Sequence, residues 1–247
     1  KGQYPPQLRA FAMTINFYSP KAYKYIRSTF KNRLPAPSTI RSWYSTTSGS
    51  PGCTQEAVEV LRRKVEADGD KILYGCLTSD EMAIRQEISF NHSEKRMFGY
   101  IDYGHAIEEP CGAPIATQAL VYLVTGLNER WKIPVAYFLL NGLKASERAE
   151  ITKRVLEFVA KSGVRVIALT FDGLSGNIAM CSDLGADIYN DKPYFTHPVD
   201  GHPIFVFLDA PHMLKLVRNT MGKHNLYDSD GQPIMFQYLQ KLVKLQE

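Results

Sequence analysis

Residues Val164 to Asn177 read VRVIALTFDGLSGN. Val164 to Phe171 is mostly apolar, half β-branched or aromatic, and free of Gly and Pro. This is the pattern of a strand buried on both faces. Asp172 follows directly, then Gly173 and Gly176. An acid at the carboxyl end of a buried strand is costly unless it is solvated, paired or metal-bound. In open α/β sheets that edge is also where ligands sit. The alternative is local: Asp172 caps the next helix or forms an Asx turn.

Other acids stand in the same position. Residues 71–79 (KILYGCLTS) read as a strand running into Asp80-Glu81, and residues 204–208 (IFVFL) as a buried strand ending at Asp209. Residues 117–127 and 131–140, joined by Asn128-Glu129-Arg130, predict an antiparallel pair. Ser146 is expected to cap a helix with Glu147 and Glu150 in its first turn. Its apolar face is Ile151, Val155, Phe158 and Val159, and Gly163 stops it. Residues 83–90 and 96–103 read as a hairpin around Asn91 to Lys95, followed by a loop from Gly104 to Pro114. Helices are expected at 178–184, from Pro211 to about Met221, and at 235–246, with a polar loop over 187–202 and a turn over 228–233.

With the hairpin set aside, the order is three antiparallel strands, then strands linked by helices and therefore parallel. This is the strand order of an RNase H-like domain, with the first and fourth strands adjacent at the sheet centre. Asp80 and Asp172 would then meet at one edge. Close carboxylates repel, and desolvation adds to the cost. Divalent cations remove it, and paired metals of this kind serve in-line displacement at phosphate. Oxygen-only ligands favour Mg2+ or Mn2+ over zinc. Side chains alternate along a strand, so only one of Asp80 and Glu81 can face such a site.

The chain has 247 residues and a net charge of +4. Residues 1–50 hold eight of the 29 basic residues and none of the 25 acidic ones, which leaves the remainder at net −4. A basic segment on an acidic body predicts a polyanionic partner, nucleic acid first. That segment reads as helices over 5–18 and 20–33, a break at Leu34-Pro35-Ala36-Pro37, and a short helix from Thr39 to Tyr44 capped by Ser38. Such an arrangement matches a helix-turn-helix, and Lys24, Arg27, Lys31, Arg41 and Trp43 are its candidate DNA contacts. Residues 45–54 read as a linker and 55–67 as an amphipathic helix, with the domain boundary at Asp68-Gly69-Asp70. Cys53, Cys76, Cys111 and Cys181 are scattered with no CxxC or CxxH pair, which argues against a structural zinc site and for a reducing compartment. No apolar run is long enough to span a bilayer. The chain opens at Lys1 without Met and is expected to be an internal piece of a longer protein.

Several stretches together carry a family resemblance: LPAPSTIRSWYS (34–45), SPG (50–52), SDEMAIR (79–85), FGYIDYG (98–104), LTFDG (169–173) with Asn177, and LDAPHMLKLVRN (208–219). The chain resembles the P element transposase family, including its THAP-domain relatives in animals, over nearly its whole length. The resemblance implies a DDE-type DNA transposase, nuclear, acting on double-stranded DNA (transposon ends and target) as a homo-oligomer. It would cut and join DNA without a covalent enzyme intermediate. Asp80 and Asp172 match the first two catalytic acids, which with a late Glu would hold two Mg2+. The third acid is not identifiable here. GTP is implied as an assembly cofactor, with its ligands mostly outside this chain.

The expected fold class is α/β, an RNase H-like mixed sheet preceded by a small all-helical helix-turn-helix segment. The expected division is 1–54 (basic DNA-binding segment and linker), 55–70 (connecting helix), 71–222 (N-terminal part of the catalytic domain) and 223–247 (start of a GTP-binding insertion). Asp209 is expected to pair with a basic neighbour or cap its helix through His212, and both remain possible accessory site residues. Lys215 and Arg218 share a helical face that could meet phosphate. Two other readings stay open: a domesticated DNA-binding relative without transposition activity, and a doubly wound nucleotide-binding enzyme using residues 172–177 as its loop. The second lacks GxGxxG and a P-loop Lys.

Overall fold

The structure is a computed structural model that describes residues 4–44, 49–69, 71–91, 95–104 and 113–246. Residues 1–3, 45–48, Asp70, residues 92–94, residues 105–112 with Cys111, and Glu247 lie outside the described residues, and with them parts of the expected linker, hairpin turn and loop. The chain divides into two compact units, Lys1–Ser50 and Pro51–Glu247.

The first unit holds α1 (Pro6–Tyr18), α2 (Pro20–Thr29) and α3 (Pro37–Tyr44). Ser19 serves both of its neighbours. Its N–H bonds Ile15 O at 2.9 Å to end α1, and its Oγ accepts from Ala22 N at 3.1 Å to start α2. Pro20 follows at the first helical position, where its missing N–H costs nothing. α2 ends four residues earlier than expected, because Lys31 and Asn32 take left-handed φ values of 50° and 59°. Asn32 N then bonds Arg27 O at 2.8 Å, closing the helix end. α3 begins at Pro37, with Ile40 N bonding Ala36 O at 3.0 Å, so Ser38 lies inside the helix and is not its cap. The fully buried core is Ala12, Tyr23 and Ile40, with Met13, Ile15, Leu34 and Trp43 packed on it. Tyr23 Oη donates to Pro35 O at 2.6 Å, and burial pushes its phenol up from the ordinary value.

The second unit contains, in order, β1 (Gly52–Cys53), α4 (Gln55–Ala67), β2 (Tyr74–Ala83), β3 (Ser89–Asn91), β4 (Arg96–Phe98), β5 (Gln118–Gly126) and β6 (Lys132–Leu140). Next come α5 (Ala145–Ala160), β7 (Arg165–Phe171), α6 (Ser175–Leu184), β8 (Tyr194–Thr196) and β9 (Pro203–Leu208). α7 (Ala210–Lys223), β10 (Leu226–Tyr227), β11 (Pro233–Ile234) and α8 (Gln237–Gln246) complete it. The main sheet runs β1-β6-β5-β2-β7-β9-β8. β2, β5 and β6 are antiparallel neighbours; β2, β7 and β9 are parallel. The first and fourth long strands are therefore adjacent at the centre. This is an RNase H-like mixed sheet.

α4 is more than a connector, because Ala57 and Leu61 enter the same core as the sheet. α5 begins one residue before Ser146. Lys144 N bonds Glu147 Oε2 at 2.9 Å, the half of a capping box that an acid at the third helical position supplies, so Glu147 contributes to the cap and Ser146 does not. β1 and β8 arise from stretches that read as loop and linker. They form because the outer strands β6 and β9 offer unpaired backbone groups that short segments can satisfy. The hairpin β3–β4 is short, and Asp102 beyond it exchanges two 3.0 Å backbone bonds with Leu139. Gly52 and Gly104 meet backbone to backbone: a Cβ on Gly104 would stand 2.4 Å from Gly52 Cα.

One face of the sheet carries α5 and α6. Tyr122 is fully buried there, its Oη 2.8 Å from Thr152 Oγ1. Thr152 in turn donates to Arg148 O at 2.8 Å, so Tyr122 is the donor of that pair. Among the described residues no helix is long and apolar enough to cross a membrane.

Candidate functional site

β2 is two-sided. Leu77 and Ser79 point into the buried core, while Cys76, Thr78 and Asp80 alternate onto the opposite face. On β7, Leu169 and Phe171 are buried and Thr170 and Asp172 lie opposite, half-buried. The two faces match, since Cys76 Sγ and Thr170 Oγ1 are 3.3 Å apart. The register pairs Thr78 with Thr170 and stops there. Two residues beyond that last pair stand Asp80 on β2 and Asp172 after β7, on the same face of the sheet. β2 was expected to end at Ser79 but continues to Ala83, because β5 pairs with it as far as Gln118. Asp80 is therefore inside the strand, held by β5 on one side. The sheet opens between β2 and β7 at the level of the two acids.

Glu81 faces the other way. It forms an ion pair with Arg148 of α5, and both side chains are largely buried, 19% and 11% exposed. Asp80 is exposed, with Oδ1 accepting its neighbour's N–H (Glu81 N, 2.9 Å). Asp172 Oδ1 accepts from Asn177 Nδ2 at 2.5 Å and, more weakly, from Leu174 N at 3.3 Å. The local Asx contact foreseen from sequence thus exists, but it engages one oxygen only. Asn177 is buried, so it fixes the orientation of the carboxylate. Neither Asp80 nor Asp172 has a basic partner among the described residues. Two acids on one face of adjacent strands, each with one oxygen uncommitted and no cation beside it among the described residues, are a donor set that fits a hard divalent ion.

Asp209 continues the row. Its N–H bonds Phe171 O at 2.8 Å, which puts it next to Asp172 on the adjoining strand. The expected pairing is absent: at the N-cap of α7 its side chain makes no capping bond and, among the described residues, no ion pair. His212 lies one turn into α7, half-buried, and α7 itself is mostly exposed. Asp80, Asp172 and Asp209 do not close into a three-ligand cluster. The cluster that does among the described residues is His197, Asp200 and His202, whose ligating atoms lie within 4.8 Å of one another. It falls in a stretch that reads as an ordinary polar loop, although the H-x2-D-x-H spacing was a legible signal. Arg148 was also missed, since nothing in a lone helical arginine announces its partner.

A Cβ on Gly173 would stand 2.4 Å from Met213 Cε of α7, the movable end of a flexible side chain. With β2 and β7 adjacent, the reading of residues 172–177 as a nucleotide loop of a doubly wound sheet falls.

In the helical unit, Arg41, Lys24 and Lys31 are exposed. Arg27 is committed to the turn before α3, donating to Leu34 O at 3.1 Å and Asn32 Oδ1 at 2.6 Å. Trp43 is half-buried, with the Arg9 guanidinium 4.7 Å above its ring and Tyr4 edge-on.

Comparison with known proteins agrees with this architecture. Residues 49–185 match the family described as TNP-like, RNase H N-terminal domain. Residues 1–43 match the transposable element P transposase-like HTH domain, and residues 211–247 the TNP-like GTP-binding insertion domain. The chain is 28% identical to the human DNA transposase THAP9 over 99% of its own length and 27% of that protein's. It is 28% identical to the Drosophila melanogaster transposable element P transposase over 84% of its length and 25% of that protein's. The chain thus spans about a quarter of these relatives. A solved structure, the Drosophila P element transposase strand transfer complex, superposes with a TM-score of 0.76 at 24% identity, covering 99% of this chain and 50% of that one. That likeness speaks for the fold. With more than half of its residues matched by the TNP-like RNase H domain, this chain belongs to the P element transposase family.

Proposed function

We propose that this chain is the DNA-binding and partial catalytic core of a cut-and-paste DNA transposase of the DDE type. The observation that carries the reading is the pair Asp80 and Asp172, on one face of two adjacent parallel strands, without a basic partner among the described residues, and oriented by backbone and Asn177 bonds. They would hold Mg2+ or Mn2+, two ions in all once a third acid joins. Bound there, the ions supply Lewis-acid activation and charge neutralisation at phosphate. The protein's own contribution is orientation. Asn177 fixes Asp172, β5 holds Asp80 at its level, and the Glu81–Arg148 pair locks the alternation that sends Asp80 outward. Asp209 and His212 are accessory positions on the flank.

In this reading residues 1–54 bind double-stranded DNA, with exposed Arg41, Lys24 and Lys31 on phosphate. Arg27 and Trp43 act mainly by holding the helical unit in shape. Residues 55–70 lead into a catalytic core over 71–222, and 223–247 begin the GTP-binding insertion. The host protein is nuclear and homo-oligomeric, and uses GTP as an assembly cofactor.

The test uses the full-length protein. Asp80→Ala and Asp172→Ala should each abolish Mg2+-dependent cleavage of transposon-end DNA while DNA binding persists. Full cleavage by either variant overturns the site. DNA binding without any cleavage by the unaltered protein would identify the non-transposing relative instead.

A further inference from the structure

The face of the sheet that carries Asp80 and Asp172 also carries an aromatic ledge. Residues paired across neighbouring strands share a face, so the register sets out its rows. Cys76, Ala168, Phe205 and Tyr194 form one row across β2, β7, β9 and β8, and Thr78, Thr170 and Phe207 form the next. Asp80 and Asp172 follow two residues beyond Thr78 and Thr170. β9 is apolar on both sides. Its Ile204 and Val206 are buried, with Phe195 of β8, in the core that α5 and α6 share. On the other side Phe205 is 43% exposed and Phe207 57%, and Tyr194 is exposed beside them, its ring centroid 5.7 Å from that of Phe205. Large apolar groups on both faces are the composition of a strand covered on both faces. Three neighbouring aromatics left in water mark a surface made for contact. The other members of the two rows are Cys76, Thr78, Ala168 and Thr170, none of them basic. A stacking platform for nucleic acid joins its aromatics to cations that follow the phosphates. Here the next groups along the face are two carboxylates, which repel phosphate. The ledge therefore fits an apolar protein segment and not a DNA strand.

We propose that Tyr194, Phe205 and Phe207 form the docking surface for a later segment of the same polypeptide, the part that completes this domain beyond the insertion. Residues 49–185 match an RNase H N-terminal domain and residues 211–247 an insertion domain. By those descriptions the rest of the domain comes from further along the polypeptide. The segment docks as an amphipathic helix. Both edges of β9 are already hydrogen-bonded, to β7 and β8, so the newcomer can add side chains to this face but no strand to β9. A helical layer on each face is a standard way to cover such a sheet. Asp80 and Asp172 lie on the same face, so the segment that covers the ledge passes beside them and is placed to bring the further acid the metal site needs. The three aromatics touch no reacting atom and are positioning residues. The proposal rests on the reading of this chain as the first part of a split catalytic core.

The test places the photo-cross-linker p-benzoylphenylalanine at Phe207 of the full-length protein, made in isotopically light and heavy forms that are mixed before irradiation. We expect a cross-link to a peptide of the same polypeptide that lies beyond the insertion. A cross-link to the differently labelled copy, or to added transposon-end DNA, overturns the proposal. A smaller probe guards against disturbance by the bulky one. Phe207→Cys should be alkylated about tenfold more slowly in the full-length protein than in the 247-residue chain, because the ledge is covered in one and open in the other. Equal alkylation rates with no cross-link beyond residue 247 overturn it as well. Cleavage that fails in Asp80→Ala, in a protein without the cross-link, would keep the metal site and discard the docking. The cross-link in a protein that cuts no DNA would keep the docking and discard the catalytic reading.

Discussion

Replacing Glu81 by glutamine should destabilise the sheet unit by about 3 kcal/mol, whereas replacing its neighbour Asp80 by asparagine should not destabilise it at all. The two acids differ by one position in the strand and so by one face of the sheet. Glu81 shares an ion pair with Arg148, and the two side chains are 19% and 11% exposed. Breaking a buried pair from one side leaves the other charge stranded, a loss of roughly 3–5 kcal/mol. Partial exposure puts this pair at the lower end. Arg148 Nε is already buried without an acceptor among the described residues, so the guanidinium has little to fall back on. For a unit of this size about 3 kcal/mol lowers Tm by roughly 6–12 °C. Asp80 is exposed, and Asp172 stands on the same face of the adjacent strand, two residues beyond the last register pair as Asp80 is. Removing one of two like charges relieves at most about 1 kcal/mol of repulsion near a surface, so Tm should hold or rise by a few degrees. Thermal unfolding followed by circular dichroism, with and without Mg2+, reads both effects. Mg2+ should stabilise the unaltered chain and Glu81→Gln, and should have no effect on Asp80→Asn. If Glu81→Gln unfolds with the wild type while Asp80→Asn loses several degrees, Glu81 is the outward acid and the assignment is reversed.

Gly104→Ala should cost about 3 kcal/mol, since its φ is +76° and the new Cβ would meet Gly52 Cα at 2.4 Å. Gly142→Ala, with the same φ but open space, should cost about 1 kcal/mol, and equal losses in guanidinium unfolding would discard the close-approach explanation. Glu129 is held at about 2, below its ordinary 4.5, by hydrogen bonds from Lys64 and then Lys71. A depressed carboxylate stabilises the fold above its unfolded pKa and loses that contribution as pH falls through the folded one. The Tm gap between wild type and Glu129→Gln should therefore be full at pH 6–7, shrink below about 4.5 and close near pH 2; a gap independent of pH contradicts the linkage. Arg27→Ala should lower the stability of the helical unit by about 1–2 kcal/mol through two lost hydrogen bonds. Arg41→Ala should instead leave Tm unchanged, weaken DNA binding, and reduce the salt slope of log K by about 1. Binding loss from Arg27→Ala at full stability would reverse these roles.

Local pattern in the sequence was enough for the long elements. The apolar run at 164–171, the paired strands at 117–140 and the amphipathic helices are specified by periodicity and end signals within a dozen residues, so they survive folding with shifts of a few positions. The order of those elements was enough for the sheet, because helix-linked strands run parallel and tightly joined ones antiparallel. That order alone brings the strands of Asp80 and Asp172 side by side. What periodicity could not carry is anything decided by a remote partner. β2 runs on past Asp80 because β5 continues to pair with it, and Glu81 rather than Asp80 is neutralised because Arg148 on α5 faces that side. Arg27 is turned inward by a carbonyl seven residues away, and Gly52 and Gly104 are glycines for each other's sake. β1 and β8 are strands only because β6 and β9 have edges to fill. His202 keeps its proton on Nε2 only because the carbonyl of Val166, thirty-six residues earlier, accepts the hydrogen bond from it. Short-range chemistry writes the elements and their order. Which side chain is committed and which is left free is settled by contacts between residues far apart in the chain, and only the folded sheet brings those together.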